Sequence, residues 1–231
     1  MLEPDSTRVV PTHAGPPGGL DSPHALQILM TEHWSLLAAR SLGYTEAMSR
    51  ASIFVAALSG SVIALALVGQ ATDFGDGFVA FSLVLLPVVY LLGVSTVARL
   101  GQNNYEDAVW IQGMNRIRNA YLELVPALEP YFVTSHYDDE KGMMQSSFAM
   151  PQRPSLLQPF LSIPGVVAVV NSAVAGAIVG IAALGLGLGT GWSLALGGIG
   201  FVFSLAGFIL WARRSIATHV EQLVVRFPSP S

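Results

Sequence analysis

The residues with the most chemical potential stand in one short polar run. His136 is followed by Asp138, Asp139 and Glu140, and carboxylate oxygens are the ligands that a hard divalent cation prefers. The run lacks the Asp/Asn alternation and the fixed glycine of a calcium loop. We therefore favour a solvated acidic loop over a metal site, because clustered like charges usually face water.

A second acid–base pair is formed by Glu32 and His33. Sequence neighbours do not face each other on a helix, so a polar edge of an amphipathic helix is the better interpretation. The sequence has no nucleophile elbow, zinc motif or P-loop, and its long apolar stretches contain no acidic or basic side chain. We predict that the protein is not an enzyme and binds no cofactor or metal.

Apolar residues dominate the composition around these polar groups. Of the 231 residues, 52% are hydrophobic and only 11% are charged, whereas a soluble domain carries about 25% charged residues. The absence of cysteine excludes disulfides and thiolate chemistry. The net charge of −4 argues against nucleic acid as a partner. Membrane lipid is the partner that this composition predicts.

The apolar residues are gathered in four stretches at 51–69, 77–98, 164–185 and 191–212. Each is about 20 residues long, the length that crosses about 30 Å of hydrocarbon as a helix. Lipid offers no hydrogen bonds to the backbone, so these segments must be helical. The predicted fold class is all-α: a polytopic membrane protein with four transmembrane helices in two hairpins and with cytoplasmic helical extensions.

The basic residues set the orientation of the two hairpins. All 11 Lys and Arg residues lie outside the short turns at 70–76 and 186–190. The positive-inside rule then places both termini and the 99–163 segment in the cytoplasm. We expect a multi-pass protein of the plasma membrane, which in a bacterium is the inner membrane.

Local signals divide the chain further. Ser22 and Pro23 are typical of a helix start. Gly43 is typical of a helix stop, and Thr45 of the cap of a new helix. The segments expected are a disordered cytoplasmic tail at 1–22, an amphipathic cytoplasmic helix at 23–43, a first transmembrane hairpin at 45–99, a cytoplasmic helix and loop at 100–163, a second transmembrane hairpin at 164–212 and a cytoplasmic tail at 213–231.

Small residues in the third and fourth spans favour close helix contact. They are Ser172, Gly176, Gly180, Gly200 and Ser204. Packing within one subunit is favoured over packing between subunits. Beside this stripe, Asn171 needs a partner in hydrocarbon, either an interhelical hydrogen bond or a place in a polar ring that lines an oligomeric pore. Pro87 removes a helical hydrogen bond in mid-span, as a hinge or as a packing adjustment.

A second apolar stripe continues beyond the second span at heptad spacing. It consists of Trp110, Met114, Ile117, Tyr121 and Leu124. Such a stripe requires a partner helix, either the helix at 23–43 of the same chain or the equivalent helix of another subunit. We therefore expect a cytoplasmic interface here, with a possible protein partner, and we predict a homo-oligomer.

Two segments carry a family resemblance. Residues 25–70 (ALQILMTEHWSLLAARSLGYTEAMSRASIFVAALSGSVIALALVGQ) and 114–132 (MNRIRNAYLELVPALEPYF) are similar to a group of uncharacterised bacterial membrane proteins common in actinobacteria. The resemblance covers most of the chain. It implies a plasma-membrane location and brings no established activity.

Two functions remain open from the sequence. The first is a homo-oligomeric channel or pore for ions or small solutes, suggested by Asn171, Pro87 and the glycine-rich spans. The alternative is a non-conducting scaffold or accessory subunit of a membrane complex that docks through its cytoplasmic helices.

Overall fold

The computed structural model describes residues 19–20, 22–147, 162–220 and 224–230, and this part of the chain is helical without a β-strand. Its elements are α1 (Pro23–Ala71), α2 (Asp76–Leu124), a 3₁₀ helix (Pro126–Tyr131), α3 (Glu140–Ser147), α4 (Ile163–Gly185) and α5 (Thr190–Val220). Four of these helices are long and apolar enough to cross a membrane. The predicted all-α, four-span fold is confirmed. Most of the predicted tail at 1–22 lies outside the described residues.

Helices α1 and α2 are much longer than a bilayer is thick. Each has 49 residues, or about 74 Å at 1.5 Å per residue, against about 30 Å of hydrocarbon. The apolar half of α2 packs on α4, and the remaining halves of α1 and α2 pair with each other beyond the apolar spans. We call residues 23–50 of α1 and 99–124 of α2 the stalk.

The break predicted between residues 43 and 45 does not exist. Helix α1 runs through Gly43 unbroken, and the hydroxyl of Thr45 donates to the Ser41 carbonyl one turn back instead of capping a new helix. Gly43 serves a packing role: a Cβ there would lie 2.7 Å from the Trp110 ring of α2. Gly43, which the sequence predicts to be a helix stop, is therefore a glycine that permits close contact between two helices. The helix start was read correctly, since Ser22 Oγ accepts from the Ala25 N–H.

The segment after α2 is more structured than the loop predicted within residues 100–163. Helix α2 ends at Leu124, and a 3₁₀ helix begins at Pro126. Helix α3 then forms at Glu140–Ser147, where the Asp139 carboxylate accepts from the Gly142 N–H in the first turn. Capping of this kind stabilises a helix of only two turns. The part of the predicted loop at 148–161 lies outside the described residues.

Helix α2 is the centre of the bundle. It packs on α1 on one side and on α4 on the other, and α4 in turn packs on α5. The core that joins α1, α2 and α4 is Phe54, Val89, Val97, Leu100, Val167 and Ala168. Burial of these side chains fixes the level at which the three helices meet.

Ion pairs and one glycine contact join the two stalk helices. Arg99 donates to Glu46 across the helices at 3.0 Å, and Arg40 to Asp107 at 2.6 Å. The hydrogen bonds from Arg99, and with them Arg50, lower the pKa of Glu46 to about 2. A Cβ at Gly113 would lie 2.9 Å from Leu36 of α1, so the helices approach closely. The stalk is therefore a tightly packed antiparallel pair.

Candidate functional site

Asn171 lies at the junction of three helices. Its side chain is fully buried, and neither amide atom has a hydrogen-bond partner among the described residues. Its Oδ1 occupies the space beside Gly93 of α2, where a Cβ would lie only 2.0 Å away, and Phe54 of α1 closes the same space. Of the two interpretations left open for Asn171, the interhelical hydrogen bond is not formed among the described residues. In this position the amide faces the interior of one chain and not its outer surface.

Ser172 and Pro87 are accommodated within their own helices. The Ser172 hydroxyl donates to the Ala168 carbonyl one turn back at 2.8 Å, so this buried polar group is satisfied. Helix α2 continues through Pro87, which is half-buried and leaves one carbonyl of the preceding turn without its helical donor.

The glycines of the third and fourth spans lie at the contact between α4 and α5. A Cβ at Gly176 would be 2.8 Å from the Gly197 carbonyl oxygen, and one at Gly180 would be 3.2 Å from the Ser193 carbonyl oxygen. A Cβ at Gly200 would be 2.9 Å from Val179. The stripe thus brings two backbones of one chain together.

Ser204 contacts the second span instead of this stripe. Its Oγ is 3.3 Å from the Tyr90 hydroxyl of α2. A hydroxyl pair in this position ties α5 directly to α2 within the apolar bundle.

The heptad stripe of α2 faces α1 of the same chain at several levels. Met114 and Ile117 are buried, while Trp110, Tyr121 and Leu124 are half-buried. The ring of Trp110 covers Gly43, and the ring of Tyr121 stacks on His33 with centroids 6.2 Å apart. Of the two partners considered for this stripe, the one that contacts it in the structure is the N-terminal helix of the same chain.

The acidic run after His136 is not the solvated loop that we favoured. The Asp138 side chain is 0% exposed and accepts hydrogen bonds from the backbone N–H of Arg226 at 3.0 Å and of Phe227 at 2.7 Å. Arg116 of α2 donates to the same carboxylate at 2.8 Å. The neighbouring Asp139 accepts from both the N–H and the hydroxyl of Ser229. The two carboxylates therefore hold the C-terminal segment, residues 224–230, against the stalk.

Two side chains of α2 complete this arrangement, which we call the clasp (Gln112, Arg116, Asp138 and Asp139). Both Gln112 and Arg116 donate to the Val224 carbonyl. Gln112 also donates to the Asp138 carbonyl at 3.0 Å, which fixes the loop to the helix. The clasp thus binds the backbone of the C-terminal segment at both of its ends.

A buried amide supports the clasp from below. Asn115 is fully buried, donates to the Tyr137 carbonyl at 2.7 Å and accepts from Arg118 and from Ser146 of α3. The bonds to Tyr137 and Ser146 fix the loop that carries Asp138, and the helix that follows it, to α2. Side-chain networks satisfied in this way give a single rigid arrangement.

Electrostatics keep both clasp carboxylates charged. Burial alone would raise the pKa of Asp138, but the Arg116 guanidinium and the backbone N–H of Phe227 and Arg226 outweigh it, so the pKa lies below its ordinary value. Burial likewise acts to raise the pKa of Asp139, and the Ser229 hydroxyl and N–H outweigh it. Ionised carboxylates are the stronger acceptors for backbone N–H groups.

The described residues contain no group of three or more His, Cys, Asp or Glu side chains that would hold a metal ion. Comparison of the chain with protein-family models, with curated proteins and with solved structures found no match. The resemblance to an uncharacterised actinobacterial group stays a prediction.

Proposed function

We propose that the protein is a non-conducting scaffold of the plasma membrane, whose copies associate through the outer face of α1 in the stalk. Both termini and the stalk lie in the cytoplasm in this proposal, because all 11 Lys and Arg residues lie outside the two short turns between paired spans. The observation that carries the proposal is an exposed apolar stripe on α1. It consists of Leu26, Met30, Trp34 and Leu37.

The stripe lies too far from lipid to be covered by it. Leu37 is 14 residues before the first apolar span, or about 21 Å along the helix, and Leu26 is about 38 Å away. The headgroup region adds only about 5 to 7 Å to each side of the hydrocarbon. A protein surface is therefore the partner that this stripe fits.

A second copy of the same helix is the partner that we propose. The stripe has spacings of four, four and three residues, which match the face that one helix presents to another. Residues 23–39 carry one carboxylate, Glu32, and no Lys or Arg, so two copies meet without strong charge repulsion. A twofold contact of this kind places the same residues on both sides.

Oligomeric state tests this proposal. Native mass spectrometry of full-length protein released from lipid nanodiscs should give a dimer or larger assembly, and Trp34→Gln should lower the fraction of the protein in that assembly relative to wild type. Trp34 is 67% exposed and central to the stripe. Tyr131→Gln is the matched control, because Tyr131 is 76% exposed outside the stripe and its replacement should leave the assembly intact. A wild-type protein that is monomeric at all concentrations would overturn the proposal.

Channel function stays a prediction. Asn171 and Ser172 are fully buried inside one chain, so they give no support to a polar lining between subunits. Recording from purified protein in a planar bilayer decides between the two functions: the scaffold proposal predicts no conductance across voltage and pH.

A further inference from the structure

The C-terminal segment is held through its backbone. The N–H groups of Arg226 and Phe227 donate to Asp138, and the N–H of Ser229 donates to Asp139 at 2.9 Å. In the reverse direction the Asp138 N–H donates to the Phe227 carbonyl at 3.1 Å. Together with the bonds to the Val224 carbonyl, these contacts define a binding site for an extended peptide.

The sequence of the segment matches the acceptors of the clasp. Residue 228, between the positions that Asp138 and Asp139 bind, is a proline and has no N–H. The backbone donors of residues 226, 227 and 229 are therefore all used by the two carboxylates, and none is left without an acceptor. Proline also restricts the free segment toward the extended conformation that the clasp requires.

Little apolar surface holds the segment in place. The side chains of Val224, Val225 and Arg226 are exposed, and those of Phe227 and Ser229 are only half-buried. Segments held by hydrogen bonds with few buried apolar contacts open at a small fraction of the global unfolding free energy. Opening leaves the charged Asp138 carboxylate without the backbone N–H groups of residues 226 and 227, and this favours rebinding of any matching segment.

We propose that the clasp is a peptide-binding site that exchanges C-terminal segments between copies of this chain. Exchange replaces each contact between the clasp and its own segment by the same contact with the segment of another copy. The free energy of these contacts is therefore equal in both states and does not oppose exchange. Copies inserted in one bilayer share an orientation and present clasp and segment at the same height, which raises their effective concentration for each other. The proposal does not depend on the α1 stripe.

Cross-linking between two differently tagged full-length chains tests the exchange. The sequence has no cysteine, so one chain carries Val225→Cys as its single thiol and the other carries Lys141→Cys next to the clasp. A short bismaleimide should join the two chains when they are co-expressed in one membrane. A single chain with both cysteines reports binding within one copy.

Two variants show whether a cross-link reports the clasp. Ser229→Pro on the Val225→Cys chain removes the N–H and hydroxyl that Asp139 accepts, and Asp138→Asn on the other chain removes the charge. Each should lower the yield between chains by about tenfold or more, because each weakens more than one hydrogen bond to a charged group. Asp76→Asn, at the first residue of α2 and far along that helix from the clasp, is the matched control and should leave the yield unchanged.

Two results would overturn the proposal. One is efficient cross-linking within the double-cysteine chain with none between chains, which would make the segment a purely internal strut. The other is cross-linking between chains that Ser229→Pro and Asp138→Asn both leave unchanged, which would report random encounter. Repeating the measurement with Trp34→Gln in both chains separates this proposal from the scaffold contact, because sensitivity to Ser229→Pro should persist without the α1 stripe.

Discussion

Replacement of Gly93 by alanine tests the packing at the centre of the membrane bundle. A Cβ at this position would lie 2.0 Å from Oδ1 of Asn171 and 2.8 Å from Cε2 of Phe54. Ordinary contact begins at 3.4 Å, so the amide would have to withdraw by about 1.4 Å. Asn171 and Phe54 are each 0% exposed, which leaves them little room to move. Overpacking of a well-filled core costs about 1 to 3 kcal/mol.

The variant Gly207→Ala serves as a control that separates the steric cost of a Cβ at Gly93 from the gain in helix propensity. Alanine is favoured over glycine inside a helix by about 1 kcal/mol, and this gain applies equally to Gly207→Ala. A Cβ at Gly207 meets nothing within 4 Å. We therefore expect Gly93→Ala to be less stable than Gly207→Ala by about 1 to 3 kcal/mol. Thermal unfolding in nanodiscs, followed by circular dichroism, measures the difference.

The double variant Gly93→Ala, Asn171→Ala tests whether the Asn171 side chain causes the loss of stability in Gly93→Ala. Truncation of Asn171 removes the amide that the new methyl group would meet and leaves only the contact with Phe54 Cε2 at 2.8 Å, so Gly93→Ala should cost less in that background. Equal melting temperatures for Gly93→Ala and Gly207→Ala would refute the close contact. An equal cost of Gly93→Ala with and without Asn171 would show that the clash lies elsewhere.

Three further outcomes follow from the structure. Asn171→Leu should raise the unfolding free energy by about 1 to 3 kcal/mol, since it removes an unpartnered buried amide, and it should leave a planar bilayer as silent as wild type does. Gly43→Ala should lower the melting temperature relative to Gly60→Ala, because only the first meets a ring, that of Trp110. The pKa of Asp138 is lower in the folded protein than its ordinary 3.8, so segment binding is complete at neutral pH and is lost as pH falls below about 4; a nitroxide attached at residue 225 should become mobile in that range and stay immobile at pH 7.

The spans were predictable because their signal is local. Twenty consecutive apolar residues leave helix in lipid as the only satisfied backbone structure, and the structure has the four helices expected from 51–69 onward. Ser22 was readable for the same reason, since a cap involves neighbours in sequence. The prediction at Gly43 was wrong because glycine both ends helices and permits close helix packing. Only the position of the Trp110 ring shows which of these two roles Gly43 has.

The clasp was not predictable, because its contacts join distant parts of the chain. Asp138 and Arg226 are separated by 88 residues, and no periodicity links an acidic run to a C-terminal Phe-Pro-Ser. The signals that now stand out are the proline at 228 and Arg116 on the face of α2 away from the apolar stripe. Taken alone, neither the proline nor the arginine indicates a contact between distant parts of the chain. Asn171 was recognised as exceptional from its position, but the sequence could not show that it packs beside Gly93 without a hydrogen-bond partner among the described residues.

Because α1 continues unbroken from its apolar span into the stalk, the stalk tilts together with the span. A bilayer that becomes thinner increases the tilt of helices that span it. With no hinge at Gly43, a change of about 10° in tilt would carry the distal end of the stalk sideways by about 7 Å, given about 42 Å of projecting helix. A change in bilayer thickness would therefore move the distal end of the stalk relative to the membrane surface.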